Sequence, residues 1–124
     1  MERSKDIIYA YTREMAISDS ILIDLSDIAK EAGFKVPVAV TTALYNRYLV
    51  PTERQKNKGQ DTDGRVWDML MLLNMRCREN KDDTIYFSAS MQMDSGVKRL
   101  EMKAMIGPGD HGEPIITIML PNED

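Results

Sequence analysis

The chain has 124 residues, 43% of them hydrophobic and 29% charged, which is the size and composition of one ordinary globular domain spanning 1–124. It predicts no membrane span, no secretory leader and, with Cys77 as its one cysteine, no internal disulfide, so the expected setting is a reducing cytoplasm. The net charge is −4, and beyond residue 62 there are seven basic and eleven acidic residues against nine of each before it, which argues against a nucleic-acid partner.

In chain order, the apolar stretch 7–11 is expected to be extended. Thr12 is a candidate N-cap for a short helix over Arg13 to Ile17. Ile21 to Ile23 reads as a short strand or packed extended piece. Ser26 is expected to cap a helix over Asp27 to Ala32 that Gly33 stops, with Ile28 and Ala32 inward. Val36 to Val40 contains Pro37, which cannot donate a ladder hydrogen bond, so an edge strand or extended segment is expected. Thr41 and Thr42 open a helix to about Leu49, with Ala43, Leu44 and Tyr48 inward, and Pro51 ends it. Residues 52–64 have no apolar side chain and read as a solvated loop carrying a small basic tract of Arg54, Lys56 and Lys58.

Asp63 and Gly64 then start the longest helix. Val66, Met69, Leu70, Leu73 and Cys77 share one face, while Trp67, Met71 and Met75 follow one another at i, i+4, i+8 on a neighbouring face. Such a helix is sandwiched in the fold or offers a second face to a partner subunit, which is the basis for expecting a homodimer. Trp67 is placed in the core. Most of the ten methionines are also expected there, although methionine suits adaptable binding surfaces too. A strand follows with Ile85, Phe87, Ala89, Met91 and Met93 on its dry side. Asp94-Ser95-Gly96 turns the chain into a return strand with Leu100, Met102, Ala104 and Ile106 inward. The last strand places Ile116, Ile118 and Leu120 on one face. Helices first and an antiparallel run of strands afterwards predict an α+β fold, N-terminal helices packed on one face of a C-terminal β-meander.

The residues with most chemistry lie from Gly107 to Pro114. The stretch holds three glycines, two prolines and the trio Asp110, His111 and Glu113, and its eight residues exceed an ordinary hairpin connection. A histidine between two carboxylates could bind a cation, but there is no second histidine and no metal-loop spacing, so no metal and no cofactor is expected. General acid–base work by His111 is possible in principle, but a lone histidine in an exposed turn is more often inert. Arg65 and Asp68, three apart, could pair on the helix, with Trp67 beside them as core or as an aromatic platform. No nucleophile elbow, phosphate loop or paired-cysteine motif is present.

Five segments resemble an uncharacterised bacterial family, a domain of unknown function often carried on plasmids, phages and other mobile elements. They are 9–17 (YAYTREMAI), 22–26 (LIDLS), 32–41 (AGFKVPVAVT), 59–70 (GQDTDGRVWDML) and 107–124 (GPGDHGEPIITIMLPNED). The resemblance covers nearly the whole chain. It implies a small stand-alone protein serving a mobile element, with no catalytic role to carry over. Residues 54–58 and 80–95 are the least family-typical and are expected to be variable surface.

The reading is thus a non-enzymatic binding or interaction module, a mobile-element accessory or anti-defence protein that binds a protein partner or itself. The alternative is a small-molecule or metal-binding protein or enzyme using the Gly107 to Pro114 loop. The candidate binding residues are Asp110, His111, Glu113, Arg65 and Trp67; no catalytic residue is assigned.

Overall fold

The structure, a computed structural model, describes residues 12–123. The extended piece expected over 7–11 lies outside the described residues.

Thr12 caps α1 (Arg13–Ser18), its hydroxyl accepting from the Met15 amide at 3.0 Å. Ser20, at φ 62, turns the chain into β1 (Leu22–Asp24), and the Thr42 hydroxyl donates to its carbonyl. Helix α2 (Ser26–Glu31) follows, and Gly33 at φ 101 ends it as the sequence predicts. Its inward residues are Ala29 and Ala32, with Ile28 only half-buried. Strand β2 (Val38–Thr41) leads into α3 (Thr42–Leu44), which widens into a π-helical turn over Tyr45–Leu49 before Pro51. Leu44 and Leu49 are buried there, but Ala43 faces solvent.

The polar stretch 52–64 is more ordered than its composition suggests. Thr52 and Gln55 form a reciprocal capping box that starts α4 (Glu53–Asn57). Arg54 and Lys56 lie on this helix, and Lys56 pairs with Glu53 at 3.3 Å. Helix α5 (Thr62–Glu79) starts one residue ahead of the expected Asp63, because the Asp61 carboxylate caps it by accepting from the Gly64 amide at 2.6 Å. A Cβ at Gly64 would meet that oxygen at 2.8 Å, so glycine permits the close cap.

Strands β3 (Thr84–Met93), β4 (Gly96–Pro108) and β5 (Pro114–Met119) complete a five-stranded sheet, counted over the described residues, in the order β1-β2-β5-β4-β3. The β5-β4-β3 part is the predicted antiparallel meander. β2 runs parallel to β5, and β1 pairs antiparallel with β2. The α+β order holds, and two short N-terminal strands are added to the meander.

The expectation of an edge position for the Pro37 segment is corrected. Pro37 precedes the first paired residue, so its missing N–H costs the ladder nothing. Its carbonyl accepts from the Ile116 amide at 3.0 Å. Val38, Ala39 and Val40 are fully buried, as in a strand covered on both faces. The hairpin is also tighter than expected: Met93 pairs with Gly96, leaving only Asp94 and Ser95 in the turn.

The main core lies on one sheet face. Ile85, Phe87, Met102, Ile116 and Ile118 meet Ala29 of α2, Leu44 and Leu49, and the Val66–Met69–Leu70–Leu73 side of α5. Residues 80–95, expected as variable surface, therefore supply the core residues Ile85, Phe87, Ala89 and Met91. Arg13 of α1 reaches Thr117, which shares its side of β5 with Ile115 and Met119.

Candidate functional site

Strand β4 continues through Gly107 and Pro108, and Pro108 pairs with Pro114. The connection is then 109–113, an ordinary hairpin length rather than the eight residues the prolines suggest. Its polar groups are turned to structural use. The Asp110 carboxylate accepts from the amide of Arg13 at 2.8 Å and from that of Glu14 at 3.0 Å, so it caps α1 from across the sequence. These two amides hold the Asp110 carboxyl below its usual range. Glu113 accepts from the His111 amide at 2.9 Å, and its other carboxylate oxygen lies where a Cβ at Gly109 would come within 2.5 Å. His111 itself is exposed.

Arg13 completes this corner. Its guanidinium donates to the Thr117 hydroxyl and to the Ile116 carbonyl, each at 2.7 Å. Burial pushes its pKa down, and Asp24, Asp110 and Glu113 pull it back up. With His111 these residues edge a recess of about 410 Å³. Among the described residues no group of three or more histidine, cysteine or carboxylate side chains is arranged to hold a metal ion.

Arg65 and Trp67, two apart on α5, point in opposite directions. Arg65 is buried, at 3% exposure, and does not pair with Asp68. Its guanidinium donates to the Tyr48 carbonyl at 2.8 Å, to Gln55 Oε1 at 3.1 Å and to the Gln92 carbonyl. Gln55, also buried, passes the charge on: its amide nitrogen donates to Asp94 Oδ1 at 3.3 Å. Desolvation lowers the Arg65 pKa. Arg65 is thus a tie between the π-turn, α4 and β3.

Trp67 is not core. It is 37% exposed, and Met71, Leu72 and Met75 beside it are 39%, 36% and 58% exposed. The opposite side of α5 fills the core, so every inward position of this helix is used and its second apolar stripe is left outside. Cys77 is half-buried, and burial raises its thiol pKa, the setting of an unreactive cysteine.

A family model matches residues 1–124, the whole chain. This protein belongs to DUF6573, a family of unknown function. No curated protein and no solved structure matches it. Among the described residues, no helix of this DUF6573 chain is long and apolar enough to cross a membrane.

The outer side of β3 adjoins the exposed stripe. Tyr86 is 58% exposed, and Leu72 and Ser88 together line two recesses of about 700 and about 300 Å³ between α5 and β3 of the DUF6573 fold. The second apolar face of α5 is the one the sequence offers to a partner subunit, although Trp67 is expected inside; the β3 edge beside it is not foreseen, because β3 reads only as a meander strand. One signal was legible: β3 carries no charged residue and no proline over its length. Natural edge strands usually carry such protection against pairing.

Proposed function

We propose that this protein is a non-enzymatic interaction module that works in a bacterial cytoplasm as an accessory of a mobile element. The observation that carries the reading is the solvent-facing stripe of Trp67, Met71, Leu72 and Met75 on a helix whose other side is fully committed to the core. Apolar side chains gathered on one flank mark contact surfaces, and methionine lets such a surface adapt to its partner. The mobile-element setting rests on the resemblance of the sequence segments. The rival chemistry at the β4–β5 turn is less supported, since Asp110 and Glu113 are engaged in capping α1 and closing the turn.

The test is affinity capture from a bacterial host lysate with the wild-type chain and with a Trp67→Ala, Met75→Asp double variant. A partner, or a second copy of the chain, should be retained by the wild type and lost by the variant. Equal capture by both, with the variant folded, overturns the reading.

A further inference from the structure

The outer edge of β3 is open over its middle. In the β3–β4 ladder the Asp83 carbonyl faces β4, where it accepts from the Ile106 amide at 2.7 Å. Backbone groups alternate along a strand, so those of Tyr86, Ser88, Ser90 and Gln92 point away from β4. Two arginines of α5 agree with this parity: Arg65 donates to the Gln92 carbonyl, and Arg76 donates to the Tyr86 carbonyl at 3.4 Å. Between them the amides and carbonyls of Ser88 and Ser90 have no partner among the described residues. The same two bonds show that α5 runs antiparallel to β3, which puts Leu72 abreast of Ser88, the pair that lines both flanking recesses.

We infer that this edge is an isologous interface at which a second copy of the chain adds its own β3, antiparallel, to make one continuous sheet. The argument is self-complementarity. A two-fold axis beside Leu72 and Ser88 sets Ser88 against its own copy and Tyr86 against the copy's Ser90. The same axis sets Asp68 of one helix against Arg76 of the other, because each stands four residues from Leu72. The charges that would face each other are opposite, twice, while the apolar Met71, Leu72 and Met75 meet near the axis. The buried Arg65, holding the Gln92 carbonyl, ends the ladder on either side, whereas the long 3.4 Å contact of the exposed Arg76 leaves the Tyr86 carbonyl able to accept from the copy's Ser90 amide. Edge pairing would cover the unprotected strand together with Met71, Leu72 and Met75 in one contact, while Trp67, which points away from Arg65 and the β3 edge, stays outside it. The inference rests on the interaction-module reading and gives that surface an occupant.

The experiment is sedimentation velocity of the full chain from micromolar to hundreds of micromolar. It uses the wild type, Ser88→Pro, Asp68→Arg, Arg76→Asp and the Asp68→Arg, Arg76→Asp double variant, with circular dichroism confirming that each is folded. The wild type should dimerise. Ser88→Pro should abolish the pairing, since its N–H serves no bond within the chain. Each charge reversal sets like charges opposite one another twice and should weaken the dimer by about tenfold or more. The double variant should recover it. Asp68 and Arg76 are too far apart on one helix to pair within a chain, so recovery reports the two-fold contact. A wild type that stays monomeric overturns the inference but leaves the interaction reading to its own capture test. A dimer indifferent to Ser88→Pro, or charge reversals without mutual rescue, also overturns it.

Discussion

At the scale of single residues, side chains that look like chemistry serve as fasteners. Asp110 is ionised and accepts two backbone amides of α1, and that of Arg13 is the larger cause of its lowered pKa. A carboxylate whose folded pKa is depressed stabilises the fold above its unfolded value, and that contribution is lost as pH falls through the folded value. The relevant window therefore opens below about pH 4. Asp110→Asn should be less stable than the wild type at neutral pH, and the gap should narrow as thermal melts are taken towards pH 3. A gap that stays constant would show that the charge of Asp110 contributes nothing. Arg65 gives the complementary case. Arg65→Leu removes a buried donor and leaves the Tyr48 and Gln92 carbonyls without it, while Gln55 Oε1 keeps the Thr52 amide. Unsatisfied buried acceptors cost about 1–3 kcal/mol each, with relaxation and water offsetting part of the sum, so a loss of about 3 kcal/mol in urea unfolding is expected. Arg65→Lys should recover only part of it, because one ammonium cannot reach the separate acceptors that a planar fork spans.

At the scale of elements, what was legible is what depends on local pattern. The buried side of α5 follows from apolar spacing at Val66, Met69, Leu70 and Leu73, and the β3–β4 hairpin from strict alternation; both are found as expected. Gly33 stops α2 with a positive φ of 101°, which glycine adopts without strain. Most of the misreadings concern partners distant in sequence. Pro37 argued for an edge strand, but nothing near it reveals that Ile116 donates to its carbonyl. The candidate loop looked long because Gly107 and Pro108 resemble turn residues, yet β4 extends through both as β5 pairs alongside. The trio Asp110, His111 and Glu113 stands out in the sequence, but spacing does not reveal that Asp110 caps a helix starting at residue 13 while Glu113 closes the turn on the His111 amide. The spacing leaves Trp67 as core or as an aromatic platform, and the preferred core position fails because an 18-residue helix on one sheet face has room inside for only one of its stripes. The capping box of Thr52 and Gln55 was legible in principle as a Thr-x-x-Gln pattern, and it would have predicted α4 inside the polar stretch.

At the scale of the whole molecule, the order of strands decides how the chain can fold. β5, the last strand in sequence, is the middle strand of the sheet, with β2 on one side and β4 on the other. Among the described residues, the N-terminal pair β1–β2 and the C-terminal hairpin β3–β4 are joined within the sheet through β5. The tail beyond β5 fastens the junction again: the Glu123 carboxylate accepts from the Thr41 hydroxyl at 2.8 Å and from the Leu120 amide at 2.7 Å. Without β5 and this tail, both neighbouring strands become edges, and the buried Ile115, Ile116, Ile118, Met119 and Leu120 leave the structure. At about 1.5–3 kcal/mol for each large apolar side chain, that loss approaches or exceeds 10 kcal/mol. A domain of this size is stable by only about 5–15 kcal/mol in total. A chain ending at residue 108 should therefore show no cooperative thermal or urea transition and no near-ultraviolet dichroism, even if some helical signal survives. A sharp transition in that fragment would show that the helices and the β3–β4 hairpin form a folding unit of their own. Its absence would mean that the sheet is stable only when β5 joins both halves, including the parallel β2–β5 pairing of residues nearly eighty positions apart, the kind of long-range contact that slows folding.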